Sequence, residues 1–577
     1  MGKILNYAKP YRFYMLITLF FKFFAAMMDL LIPSILAKII DEIVPLGEMK
    51  LIFLWGGVMV LCAIGSITVN VTANRMAEVS AGKMTLQIRH DLFEKISYLS
   101  APQIDDFTIP SVISRLTSDT YNVNRMLARL QRLGVRGPIL LIGGIIITMT
   151  IEPMLSLVLI ASLPAIIVIV ALVTAKSIPL YDKQQSVLDD MVRVLRENIT
   201  GVRVIRALSK TDYERTRYDK VNEQLARMEQ KAGSISAVSN PATTLVLNLG
   251  FAGVILAGAY LVQKGETGPG TIIAFLSYFT IILNAMLGIT RIFIMCSKGI
   301  ASAGRIAEVL QTPEEMKVYP HETRAKQQEN PACPHVEFQH VTFSYLQKKN
   351  NLTDISFALK KGETLGIIGP TGSGKSTIVQ LLLRFYDADQ GNIFIDGREI
   401  KTIPFKELRG KFGVVFQNDY LMATTIEENI DYFRKLSKEK ITKAIRQSQA
   451  QEFVEQKRGE QEAEVSIRGN NLSGGQKQRI MLARALADHP EILILDDASS
   501  ALDYRTDALL QKTLKEEFAD TTIIMVAQRI SSLRKADHIL VLEEGACAGY
   551  GTHEELLKEC ELYRQIYELQ TGKEAEA

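Results

Sequence analysis

Six long apolar stretches, all before about residue 300, constrain this chain more than any other feature. A helix needs roughly 20 mostly apolar residues to cross a bilayer core about 30 Å thick. Stretches of that kind lie at 13–43, 50–73, 133–152, 154–178, 241–263 and 271–296. In lipid, each backbone N–H and C=O must find its partner within the protein, so each stretch is read as a membrane helix. The third and fourth almost touch, and Glu152 with Pro153 must form a tight turn between them. The first is too long for the core of a signal peptide and lacks a small-residue cleavage pattern. It therefore reads as a first span.

Loop lengths set the orientation. Segments 44–49, 151–153 and 264–270 are very short, whereas those after spans two and four are long and charged. The first long loop carries Arg75, Lys83, Arg89, Arg115, Arg129 and Arg136, and the second Lys183, Arg193, Arg203 and Arg215, among others. Basic residues stay on the cytoplasmic side, which places both long loops and both termini inside. Met191, Val192, Val194, Leu195, Ile199 and Val202 follow helical spacing, so the spans are expected to continue as helices into the cytoplasm.

Polar residues within the spans need a reason. Lys22 and Asp29 are two helical turns apart and share a face. Either Lys22 snorkels and Asp29 joins two helices, or both serve a water-accessible cavity that handles substrate. The same two readings hold for Asn248, Asn284 and Arg291. Phe20, Phe21, Phe23, Phe24, Met27 and Met28 read as lipid contact and packing ahead of a ligand pocket.

Composition supports a chain of two unlike halves, since 47% of residues are apolar and 22% are still charged. That apolar share excludes disorder. With 66 basic and 63 acidic residues, the net charge of +3 leaves no basic excess for nucleic acid. The five cysteines are scattered without a CxxC pair, so neither a disulfide framework nor a zinc site is expected.

Residues 311–334 are polar and punctuated by proline, as in a linker. Beyond them, apolar strands are predicted at 336–343, 363–368, 391–395 and 492–495. The strand at 363–368 runs into Gly369-Pro370-Thr371-Gly372-Ser373-Gly374-Lys375-Ser376, with Thr377 opening a helix to Phe385. This fits the phosphate-binding pattern GxxxxGK(S/T). Its glycines let backbone N–H groups wrap phosphates, Lys375 reaches the β/γ-phosphates of ATP, and Ser376 ligates Mg²⁺. The apolar run ending in Asp496 supplies the second magnesium-side anchor expected downstream of such a loop.

A third element, Leu472-Ser473-Gly474-Gly475-Gln476, opens a helix about twenty residues before Asp496. LSGGQ in this place is the signature of ABC-family ATPases. Tyr345 looks like that family's adenine-stacking aromatic, Gln417 like its Q-loop glutamine beside the metal, and 500–503 like its D-loop. With six spans ahead of one such domain, the whole chain resembles a type I ABC exporter half-transporter. The segments 111–119 and 197–208 also resemble that family.

The resemblance implies a six-helix, all-α transmembrane domain over 1–310, with helices extended into the cytoplasm. A linker over 311–334 then leads to an α/β P-loop ABC ATPase domain over 335–577. ATP and Mg²⁺ would be its cofactors. Ser473 and Gly475 would face the γ-phosphate held by another domain's P-loop, and short coupling helices would lie near 105–118 and 208–219. The protein would sit in the cell (inner) membrane among lipid, its ATPase domain cytoplasmic.

Two positions depart from the family pattern. Asp497 stands where a glutamate normally polarises the attacking water, and Gln528 stands where a histidine contacts the γ-phosphate. The implied protein binds ATP, hydrolyses it poorly at its own site, and lends an intact signature to a homologous half-transporter in a heterodimer. Its cargo would be an amphipathic drug or lipid. A homodimer with slow turnover and an ATP-gated regulatory or channel-like protein remain the alternatives. Asp41 is expected to help close the extracellular side.

Overall fold

The computed structural model describes residues 2–313, 316, 318, 333–345, 350–417, 420–457 and 459–572. Most of the 311–334 segment and the side chain of Arg291 lie outside the described residues. The chain divides into two compact units, Met1–Tyr98 with Pro110–Thr312, and Leu99–Ile109 with Pro313–Ala577.

The first unit is all helical. Its main helices are α1 (Arg12–Lys38), α2 (Met49–Ser97), α3 (Thr120–Leu133), α4 (Arg136–Ile151), α5 (Pro153–Thr200), α6 (Thr211–Ala237), α7 (Ser239–Gln263) and α8 (Pro269–Gln311). Among the described residues, six helical stretches are long and apolar enough to span a membrane, matching the expected number. α2 and α5 run 49 and 48 residues, far beyond a bilayer's need, as the periodicity of the polar loops predicts. Extended Glu152 and Pro153 at the first turn of α5 make the tight turn read from the sequence.

Little of the spans' apolar surface is buried within the chain. Phe13, Phe20, Phe23 and Phe24 are exposed, so they face lipid or a partner. The core packs Leu30, Leu140, Leu155, Phe275, Tyr278 and Phe279. Gly250 and Gly258 let α7 approach α8 closely: a Cβ at either would stand 2.3 Å from Phe279 or 2.7 Å from Ile272.

Asp41 is neither solvated nor free. Its carboxylate accepts from the Gly270 N–H at 2.5 Å, and from the Thr271 N–H and hydroxyl at 2.8 and 2.9 Å. It therefore caps the first turn of α8.

The second unit holds two sheets. β1 (Val336–Phe343), β2 (Leu352–Leu359), β4 (Gln390–Ile395) and β5 (Arg398–Glu399) form an antiparallel sheet ordered β2-β1-β4-β5. The other sheet contains β3 (Thr364–Ile368), β6 (Phe412–Val415), β7 (Ile492–Asp496), β8 (Thr522–Val526), β9 (His538–Glu543) and β10 (Ala546–Gly551), ordered β10-β9-β3-β8-β7-β6. All its pairings are parallel except the β10 edge. Its central strands are buried on both faces, which explains the unbroken apolar runs of β7 and β8.

This unit also contains the short helix Ala101–Phe107. The Tyr386 hydroxyl donates to Asp105 at 2.6 Å, and the Gln103 amide donates to the Pro313 carbonyl at 2.8 Å. Near 105–118, where the family resemblance implies a short helix, the chain forms two, Ala101–Phe107, whose first turn a Ser100–Gln103 capping box fixes, and Ile109–Ser114. In the first unit, a short helix at Val202–Ala207 precedes α6, which takes in most of 208–219 from Thr211 onward. Gly201 interrupts α5 there with a non-helical conformation.

Candidate nucleotide site

In open parallel sheets, ligands gather at the carboxyl ends of the strands. Four neighbouring strands, β3, β8, β7 and β6, end here in the residues singled out from the sequence. The glycine-rich loop follows β3, Gln528 lies two residues past β8, Asp496 closes β7, and Gln417 lies two residues past β6. Topology brings together what the sequence scatters over 160 residues (from Gly369 to Gln528).

The loop is a cradle of backbone. Gly372 has a left-handed φ of 86° with open space where a Cβ would stand. At Gly374, φ is 97°, and a Cβ would lie 2.6 Å from Leu352. Lys375 opens helix α9 (Lys375–Leu382) and folds back so that its ammonium donates to the carbonyls of Gly369 and Pro370, each at 2.8 Å. The Ser373 hydroxyl is buried without a hydrogen-bond partner among the described residues. A cradle of this kind, with an orphaned hydroxyl and a lysine on its rim, fits the phosphates of a nucleotide.

Ser376 lies beside the buried carboxylate of Asp496, so the loop and β7 present two hard oxygen donors side by side. That donor set fits Mg²⁺, which Ser376 and Asp496 would hold and which would partly neutralise phosphate charge when bound. Burial pushes the Asp496 carboxyl up from its ordinary range, and Ser376 opposes that shift while Asp497 adds to it. Burial also lowers Lys375, against the pull of Asp496 and Asp497.

Asp497 lies just past β7 with a left-handed φ of 55°. Its N–H donates to the Val526 carbonyl at 2.9 Å. The Gln528 amide reaches its carboxylate at 3.4 Å, so the two departures from the family pattern touch each other. Burial raises the Asp497 carboxyl, opposed first by Arg529 and then by Lys375.

Tyr345 stands beside the cradle. Its hydroxyl donates to Gln380 at 2.7 Å and Thr377 at 3.2 Å on α9, and its ring meets Tyr386 edge-on at 5.0 Å. Gln417 is exposed.

The signature opens α10 (Gly474–Leu486). Ser473 and Gln476 form a reciprocal capping box, with the Ser473 N–H donating at 3.0 Å and the Gln476 N–H at 3.3 Å. Gly475 packs against the Ala501 carbonyl, 3.0 Å from where its Cβ would stand. Among the described residues, no hydrogen bond joins Ser473 or Gly475 to this chain's own P-loop.

One residue escaped the sequence reading. Gln478 is buried in α10, where its amide donates to the Asp497 carbonyl at 3.0 Å and its oxygen accepts from the Ala501 N–H at 2.9 Å. It ties the signature helix to the backbone beside the carboxylate and to the D-loop. The available signal was its place on the buried face with Leu482 and Ala485.

In the first unit, Lys22 and Asp29 both join helices. The buried Lys22 ammonium donates to the amide oxygens of Asn70 and Asn74, each at 2.6 Å. Asp29 accepts from Ser66 at 2.5 Å and pairs with Arg136 at 2.6 Å. Asp29 and Arg136 also line a cavity of about 670 Å³ with Ile32, Leu36, Ile281 and Asn284. No residue of the phenylalanine cluster lines it.

An all-helical unit with six spans, followed by a P-loop sheet carrying an LSGGQ helix, defines an ATP-binding membrane transporter. Comparison with known proteins agrees. Residues 15–286 match the ABC transporter transmembrane region, and residues 352–500 match the ABC transporter family. The chain is 34% identical over 576 residues to the uncharacterized ABC transporter ATP-binding protein YfiB of Bacillus subtilis, covering 100% of this chain and 99% of that one. It is 31% identical over 497 residues to the fatty acid ABC transporter ATP-binding/permease protein of Mycobacterium bovis, covering 85% and 77% of the two chains. The solved structure of a bacterial Atm1-family ABC exporter with ATP bound superposes with a TM-score of 0.81 at 25% identity, over 98% of this chain and 99% of that one. The chain therefore belongs to the ABC transporter family. It is a multi-pass half-transporter of exporter architecture, with transmembrane and ATPase domains on one polypeptide.

Proposed function

We propose that this chain is one subunit of a heterodimeric, ATP-driven exporter of amphipathic compounds, drugs or lipids. Its own Walker motifs bind ATP·Mg²⁺ through Lys375, Ser376 and Asp496 but turn over slowly. Its signature, Ser473 to Gln476, completes the productive site on a homologous partner. The ATPase domain faces the cytoplasm of a cell membrane, consistent with the basic long loops.

The observation that carries this reading is the Asp497–Gln528 contact beside an intact P-loop and an intact signature. Both residues address the hydrolytic step: one to orient water, the other to meet the γ-phosphate. A well-placed general base contributes about 10²–10⁴-fold, so losing its reach leaves binding but little turnover. The fatty acid specificity named for one relative supports an amphipathic cargo.

The test is asymmetry. In the assembled complex, Ser473→Ala or Gly475→Asp in this chain should abolish most ATP hydrolysis, while Asp497→Ala should cost far less. The purified chain alone should bind ATP with little turnover. Robust hydrolysis by the chain alone, lost in Asp497→Ala, would restore the homodimer.

A further inference from the structure

A polar seam runs through the apolar helices of the membrane unit. On α2, Ser66, Asn70, Asn74 and Glu78 recur every four residues and so share one face. They meet Lys22 and Asp29 of α1, Arg132 of α3 and Arg136 of α4. Arg132 pairs with Glu78 at 2.9 Å, and Arg136 pairs with Asp29 at 2.6 Å. Lys22 is 1% exposed and bonded only to the neutral oxygens of Asn70 and Asn74 among the described residues. Three cations thus face two carboxylates, and one positive charge is left over.

The Asp29–Arg136 pair of this seam lines the cavity. Ile32, Pro33, Leu36, Leu140 and Ile281 give it an apolar wall, and Arg136 with Asp29 forms its charged end. The Arg136 side chain is still 30% exposed, and its buried Nε has no hydrogen-bond partner among the described residues. A guanidinium with donors to spare, in surroundings of net positive charge and low polarity, attracts an anion far more strongly than it would in water.

We propose that the cavity takes amphipathic anions, seating the alkyl part on the apolar wall and a carboxylate- or phosphate-type head on Arg136. Asp29 holds Arg136 in place and competes with the head for it, while Lys22 supplies the uncompensated charge behind them. This inference rests on the reading of the chain as an exporter of amphipaths and adds the sign of the cargo's charge.

The experiment uses the full-length chain in lipid nanodiscs and three photoreactive probes. They share one long alkyl chain with a mid-chain diazirine and end in a carboxylate, a hydroxyl or a trimethylammonium. Cross-linked peptides are located by mass spectrometry. Peptides spanning 29–36 and 277–288 should be labelled by the carboxylate probe on the order of tenfold more than by the hydroxyl probe, the effect of one charge-assisted hydrogen bond. The trimethylammonium probe should label them least.

Arg136→Gln should erase the preference, and Arg136→Lys should largely keep it. Asp29→Asn should raise carboxylate labelling, because it removes the competitor. A purely structural ion pair would make Asp29→Asn and Arg136→Gln fall together, and that outcome overturns the proposal. Cavity labelling that favours the hydroxyl or ammonium probe overturns the anion preference but leaves the amphipath reading intact. Absence of cavity labelling by all three probes overturns both.

Discussion

Asp497→Glu should awaken this chain's own ATP site. The substitution inserts one methylene, which advances the carboxylate by about 1.5 Å. The backbone around it is held on both sides. The Asp497 N–H donates to Val526, and its carbonyl accepts from Gln478 at 3.0 Å and from the Ser500 hydroxyl at 2.9 Å. Little of the added length can be absorbed by backbone movement, so it reaches the carboxylate. An ångström of misplacement costs about a hundredfold, roughly 2.7 kcal/mol of barrier. Recovery of that reach should raise turnover by about ten- to a hundredfold. Adding Gln528→His should exceed the sum of the two single effects, because the side chains touch at 3.4 Å and such neighbours do not act independently. The assay is steady-state phosphate release by the assembled complex with the partner's own P-loop disabled, with nucleotide affinity measured in parallel. An unchanged rate with unchanged ATP affinity in the double variant would refute the view that reach limits hydrolysis here.

Two further outcomes follow from single contacts. Asp41→Ala removes three accepted hydrogen bonds at the start of α8 and should cost about 2–4 kcal/mol locally; amide exchange at Gly270 and Thr271 should accelerate sharply, and wild-type protection there would exclude the capping role. Gln478→Ala cuts the tie between α10, Asp497 and Ala501, so kcat of the assembled transporter should fall by about tenfold while ATP affinity at this chain's P-loop stays level; a loss confined to affinity would contradict that placement.

The elements legible in the sequence were those whose signals are local. Six apolar stretches announce helices because lipid leaves the backbone no other partner, and the long polar extensions of α2 and α5 keep a helical period. The glycines of 369–374 mark a loop that requires open backbone geometry. What stayed hidden depends on distant pairing. Nothing near Asp41 in the sequence indicates that its partners lie 229 and 230 residues away. Lys22 gave no sign that two asparagines of the next helix would hold it, since amides within an apolar run carry no direction of their own. The family resemblance gives only a neighbourhood for the short helices there, and the capping box at Ser100 and Gln103, which sets the start of Ala101–Phe107, is not part of that resemblance.

The geometry around Asp497 separates two ways in which a carboxylate can fail as a base: too weak, or too short. Burial pushes this carboxyl up from its ordinary value, opposed first by Arg529 and then by Lys375, so the shift does not run towards a weaker base. Nor has the group been removed to another region, since it still sits past β7 beside Asp496 and within reach of Gln528. Length is the remaining difference from the glutamate that the family pattern holds at this position. The amide of Gln528 compounds it, because it can donate to the carboxylate but carries no cationic form with which to meet phosphate charge. A shortfall in reach predicts rescue by one methylene, whereas a shortfall in basicity predicts none, and the two rates of phosphate release tell them apart.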